Sequence, residues 1–159
     1  TGRILSRWGD TIWGQLVADD KQEGRFRDEL VDAVVEMLKD RWQPTPPPKW
    51  VTCVPSTNHP DLVPDYARRL AEALELPFEP IVTKVKDNEP QKMQQNSLHQ
   101  CRNLDGVFAI EDPVPERPVL LVDDVVDSSW TLTVIAALLR QSGCGPVWPL
   151  ALTTSRMGA

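Results

Sequence analysis

Two adjacent carboxylates, Asp123 and Asp124, follow an unbroken apolar run, Val119-Leu120-Leu121-Val122. Two further apolar residues lead into Asp127-Ser128-Ser129-Trp130-Thr131, a short hydroxyl-rich turn, and then into a stretch with helical periodicity. Free backbone N–H groups at a helix start, neighbouring hydroxyls and the positive end of the helix dipole together make an anion site. Carboxylates beside an anion site look contradictory until the ligand also carries hydroxyls. Two acids can accept hydrogen bonds from a vicinal diol while the turn holds a phosphate. The pattern suits a sugar phosphate, and specifically ribose 5-phosphate. A solvated turn after a strand explains it less well, because the acids end a fully apolar run and precede a hydroxyl cluster.

The apolar run reads as a central strand covered on both faces, and ligands of open parallel sheets bind beyond the carboxyl ends of such strands. The rest of the chain supplies the elements around it. Phe26, Leu30, Val34, Met37 and Leu38 recur at helical steps from Arg25 to about Trp42. Pro44, Pro46, Pro47 and Pro48 then form a stiff connector. Trp50 to Pro55 has strand propensity, and Asp61 to Leu76 is a second amphipathic helix, with Leu62, Tyr66, Leu70 and Leu74 on one face. Phe78–Val85, Val107–Ile110, Pro118–Val122 and Val147–Leu152 read as strands, and Thr131–Gln141 as a helix closed by Gly143. Lys86 to Asn103 is polar and rich in Gln and Asn, a length of loop that is usually functional or mobile. Alternation of helices and short apolar strands predicts an α/β domain over 25–159, with a central, mainly parallel sheet flanked by helices. Residues 1–24 show no clear periodicity and are expected to form a small N-terminal hood or linker.

Composition narrows the partners. The chain of 159 residues is enough for one domain and carries a net charge of −6. Affinity for nucleic acid comes largely from neutralising phosphates, so the sign gives no support for direct nucleic-acid binding. No apolar run approaches the roughly 20 residues that cross a bilayer, and no membrane partner is expected. Cys53, Cys101 and Cys144 are far apart and odd in number. They fit neither a disulfide framework nor a zinc site, and read as idle thiols of a cytoplasmic protein. The chain starts at Thr1 rather than Met, which suggests a domain cut from a longer protein.

Residues 119–131 resemble the signature of the type I phosphoribosyltransferases: four apolar positions, two acids, two apolar positions, then a Thr/Ser/Gly-rich turn. The order of elements from 25 to 153 is similar too. The resemblance implies the type I phosphoribosyltransferase fold and a site for phosphoribosyl pyrophosphate or a nucleotide. Asp123 and Asp124 would hold the ribose hydroxyls. Asp127 would be the proton acceptor beside the reacting base, and Ser128, Ser129, Trp130 and Thr131 would wrap the 5-phosphate. Ser56, Thr57, Asn58 and His59 occupy the pyrophosphate loop, and Lys84, Lys86, Lys92 and Arg102 the mobile loop that closes over substrate. The family's Mg²⁺ is held through substrate oxygens, so no protein residue is assigned to the metal directly. Ser129 stands where the family usually has glycine, at a point of close approach between backbone and phosphate.

Two finer likenesses follow. Pro90-Gln91-Lys92 with Arg102-Asn103-Leu104-Asp105-Gly106-Val107-Phe108 is similar to the competence-associated ComF branch. Asp10-Thr11-Ile12-Trp13-Gly14 and Val54-Pro55-Ser56, taken with Asp123–Thr131, resemble the phosphoribosyltransferase-like domain behind some bacterial RecQ-type DNA helicases. Two functions are therefore expected: Mg²⁺-dependent displacement of pyrophosphate at the anomeric carbon, or a non-catalytic nucleotide-sensing or docking domain of an ATP-dependent DNA helicase in repair or recombination. The chain itself has no Gly-Lys-Ser/Thr phosphate loop.

Overall fold

The computed structural model describes residues 3–7, 11–40, 44–55, 60–84, 108–111, 113–126 and 130–154. The order of elements is β1 (Arg3–Arg7), α1 (Thr11–Glu23), α2 (Asp28–Asp40), β2 (Trp50–Cys53), α3 (Leu62–Leu74), β3 (Val82–Lys84), β4 (Phe108–Ile110), β5 (Val119–Val126), α4 (Trp130–Gln141) and β6 (Val147–Thr154). Four strands form a sheet in the order β1-β6-β5-β2, and every pairing in it is parallel. Phe78 adds a parallel bridge to Val51 on the outer side of β2.

The apolar run of β5 is explained by burial on both faces. Leu120 and Val122 join one core cluster with α2, α3 and Val17 of α1. Val119 and Leu121 join a second with α4 and with Ile81, Val82, Phe108 and Ile110. All four residues have no exposed surface. Burying each such side chain contributes about 1.5–3 kcal/mol, so β5 is the strand the fold can least lose.

Three expectations change in detail. Residues 1–24, expected as a hood or linker, contain β1 and α1, and β1 is an edge strand of the main sheet through Arg3↔Leu150 and Ile4↔Ala151. α1 was hidden because its apolar stripe is weak: its described half reads Leu16-Val17-Ala18-Asp19-Asp20-Lys21-Gln22-Glu23, and Val17 alone of these joins the core cluster. Of the strands expected at 78–85 and 107–110, the described residues form β3 and β4, which pair antiparallel in a separate two-stranded sheet. β5 outruns its apolar stretch, because β6 goes on pairing with it as far as Val126↔Thr154.

Among the described residues no helix is long and apolar enough to cross a membrane. Cys53 and Cys144 are buried free thiols. Burial pushes the Cys53 thiol up to about 12, helped by the neighbouring charge of Asp123, so it stays protonated and unreactive.

Candidate functional site

The chain leaves β2 through α3 and returns at Phe78, on the side of β2 away from β5. It leaves β5 through α4 and returns at β6, on the side away from β2. α3 and α4 pack in opposite core clusters. The boundary between β2 and β5 is therefore a topological switch point, where the carboxyl ends of an open parallel sheet leave a crevice for ligand.

The ladder between these strands ends where the Val54 N–H donates to the Val122 carbonyl at 2.9 Å. Beyond it, Asp123–Val126 are paired on the β6 side. Backbone groups alternate direction along a strand, so the Asp124 N–H faces the crevice as Val122 does. It donates to Oδ1 of Asp123 at 2.8 Å. Asp123 thus folds back over the strand edge and caps its neighbour.

Asp124 is buried and turns toward the opposite face, where Lys21 Nζ of α1 lies 3.0 Å from its Oδ2. Burial pushes the Asp123 carboxyl well above the usual carboxylate range. The negative charge and side-chain hydrogen bond of Asp124 add to that rise, while the Asp124 N–H and the Lys21 charge oppose it. Two carboxyls and one ammonium therefore meet at the end of β5. The arrangement is an acceptor-rich edge poised over a crevice, suited to hydroxyl donors.

Lys21 is placed by a second pair at the same end of α1. Asp20 is buried and accepts hydrogen bonds from the Arg27 backbone N–H at 2.9 Å, from Nε at 2.9 Å and from Nη2 at 2.7 Å. Burial alone would raise the Asp20 carboxyl, but the side-chain and backbone hydrogen bonds of Arg27 outweigh it and hold the group below its usual value. The Asp20 carbonyl also accepts from the N–H groups of Gly24 and Arg25, and Gly24 takes a positive φ of 87° that favours glycine. The turn from α1 to α2 is thus tied at the residue before Lys21.

α4 starts at Trp130, shortly after β5 ends. Thr131 lies in its first turn, partly buried, so the helix opens at the carboxyl end of β5. Asp127, Ser128 and Ser129 lie outside the described residues, as do Ser56, Thr57, Asn58 and His59 after β2 and Lys86, Lys92 and Arg102 between β3 and β4. Lys84 is exposed at the end of β3, in register with Phe108. Of the expected site residues, Asp123 and Asp124 are in contact. Lys21 was missed by sequence reasoning, and the aperiodic appearance of α1 left nothing in the sequence to find it by. Among the described residues no group of three or more His, Cys, Asp or Glu side chains gathers to hold a metal.

No family model and no curated protein matches the chain in sequence. In structure it is similar to adenine phosphoribosyltransferase from Saccharomyces cerevisiae, solved with D-2,5-dideoxy-2,5-imino-altritol 1,6-bisphosphate and adenine. The TM-score is 0.51, with 16% identity over 79% of this chain and 68% of that one. It is also similar to purine phosphoribosyltransferase from Pyrococcus horikoshii Ot3, with a TM-score of 0.50 and 21% identity over 80% and 72% of the two chains. A third likeness is to adenine phosphoribosyltransferase from Thermoanaerobacter pseudethanolicus, with a TM-score of 0.52 and 13% identity over 87% and 83%. At these identities the likeness establishes the fold, the α/β fold of the type I phosphoribosyltransferases.

Proposed function

We propose that the crevice at the carboxyl ends of β2 and β5 binds phosphoribosyl pyrophosphate, and that the domain displaces pyrophosphate from its anomeric carbon. The observation that carries this is the acid pair Asp123/Asp124 at the switch point, beside the N-terminal end of α4. In this reading the acids accept from the ribose diol, and the turn 127–131 with the start of α4 takes the 5-phosphate. A lone pair on the acceptor nitrogen forms the new bond to the anomeric carbon as the bond to pyrophosphate breaks. Pyrophosphate leaves with that electron pair, and the proton of the nitrogen passes to Asp127. Mg²⁺ would arrive on the diphosphate, and the hard carboxylate oxygens of the crevice are compatible with it. Ser56–His59 and the basic residues Lys84, Lys86, Lys92 and Arg102 would face the pyrophosphate.

A second reading is a non-catalytic nucleotide-sensing or docking domain, of the kind the ComF-like and RecQ-type resemblances suggest. It is favoured by Ser129 in place of glycine, since a Cβ there crowds the backbone's approach to phosphate.

Titration calorimetry with phosphoribosyl pyrophosphate and Mg²⁺ tests both. Binding with turnover of a purine or pyrimidine base supports the transferase, and binding without turnover supports the sensor. Asp124→Asn is expected to weaken binding at least about tenfold, the worth of a hydrogen bond to a charged acceptor. Absence of binding at millimolar ligand would overturn the site.

A further inference from the structure

We propose that Lys21 is a positioning residue of this site, holding the Asp124 carboxylate at the crevice so that it can receive the ribose diol. The inference rests on the ribose 5-phosphate reading above and extends it to a helix far from the signature in sequence.

Asp124 is buried beside a second carboxyl, and its own N–H is taken by Asp123 Oδ1 at 2.8 Å. Without a cation, the buried Asp124 carboxylate would stand uncompensated beside a second carboxyl. Lys21 supplies that cation at 3.0 Å, from the face opposite Asp123. An ammonium engages one oxygen of a carboxylate that has about four acceptor positions in all. The contact can therefore persist while a hydroxyl is bound.

The Lys21 side chain is 30% exposed, and that of Asp124 is 12% exposed. The pair is partly screened rather than sealed, so Lys21 reaches in from the rim. A free lysine would lose much rotamer entropy on holding such a position. Here the backbone beneath it is fixed in advance. Asp20, with its side chain 7% exposed, is clamped by Arg27 through side chain and main chain, and Val17 one turn back is fully buried against the core. α1 also contacts β1 and β6. Helix, clamp and ammonium form one unit that aims a positive charge at the second acid.

The test compares ribose 5-phosphate with 2-deoxyribose 5-phosphate, which lacks one hydroxyl of the diol, in calorimetric titrations of the whole chain. Wild type, Lys21→Met and Lys21→Arg are measured, each with its thermal midpoint. The wild type is expected to prefer ribose 5-phosphate about tenfold or more, the discrimination given by one hydrogen bond to a carboxylate. Lys21→Met keeps the aliphatic stem and should bring the ratio close to one, and Lys21→Arg should restore most of it.

An undiminished ratio in Lys21→Met overturns the role of Lys21 while leaving the site intact. Equal weakening toward both sugars, or failure of Lys21→Arg to rescue, shows a merely structural contact and overturns it too. If the wild type binds neither sugar, the ribose 5-phosphate reading falls and this inference falls with it.

Discussion

Asp123→Asn should make the protein more stable at neutral pH while weakening its ligand binding. In the folded chain the Asp123 carboxyl is raised well above the usual carboxylate range, chiefly by burial and then by the charge of Asp124. A raised folded pKa means the folded state prefers the protonated acid. Its stabilising effect is complete below the ordinary carboxylate pKa of about 3.9 and is lost as pH climbs through the folded value. Within that window the unfolded chain has released one proton that the folded chain retains. Stability should then fall with a slope approaching about 1.4 kcal/mol per pH unit.

Asparagine copies the protonated acid. Its Oδ1 can accept from the Asp124 N–H, as the Asp123 Oδ1 does at 2.8 Å, and its amide can donate toward the Asp124 carboxylate. Urea denaturation from pH 4 to 8, read by circular dichroism, should show the wild type losing ground to the variant as pH rises. The difference should level off once the folded Asp123 has ionised. Parallel stability curves for the two proteins would refute the reasoning. In the proposed site the same variant should also bind ribose 5-phosphate more weakly, a loss of binding set against the gain in stability.

Two further substitutions probe the frame around the site. The Thr52 hydroxyl in β2 is fully buried without a hydrogen-bond partner, so the near-isosteric Thr52→Val should stabilise by about 1 kcal/mol and raise Tm by about 2–4 °C. Gly145 lies against the strand entry at Arg117 and Pro118, where an added Cβ would come within 2.8 Å of two backbone atoms. Gly145→Ala should therefore lower stability by about 1–3 kcal/mol in the same denaturation assay, the usual cost of overpacking.

The sequence made the site's scaffold legible where one physical signal dominated. Four consecutive apolar residues at 119–122 could only be a strand covered on both sides, and two core clusters cover it. The amphipathic faces of α2 and α3 were equally plain, because Leu30, Val34, Leu38, Leu62, Tyr66 and Leu70 are all buried.

What stayed hidden depends on partners distant in the chain. β1 has strand structure because β6 hydrogen-bonds to it, which no local propensity reveals. The acids at 123 and 124 read as a loop because local polarity outweighed the pairing that β6 provides through Ala151 and Thr153. Lys21 is one charge on a helix with little periodicity, and its meaning comes only from where Asp20 and Arg27 pin it. Local patterns reveal elements that bury their own faces. They are silent on elements defined by who sits alongside.

The pairing of β1 with β6 also bears on how the chain reaches its fold. Arg3 lies opposite Leu150 and Arg7 opposite Thr154, so this edge joins segments from opposite ends of the sequence. Bringing them together closes a loop of nearly the whole chain, an entropic cost of about 4 kcal/mol before any contact is made. β2, α3, β5 and α4 can assemble with shorter loops, so the β1 edge is expected to form late, with its contribution felt mainly in the unfolding rate. α1 docks against both of these strands, and Lys21 rides on α1. The acid pair would then be built early with the central strands, and its counter-charge delivered last.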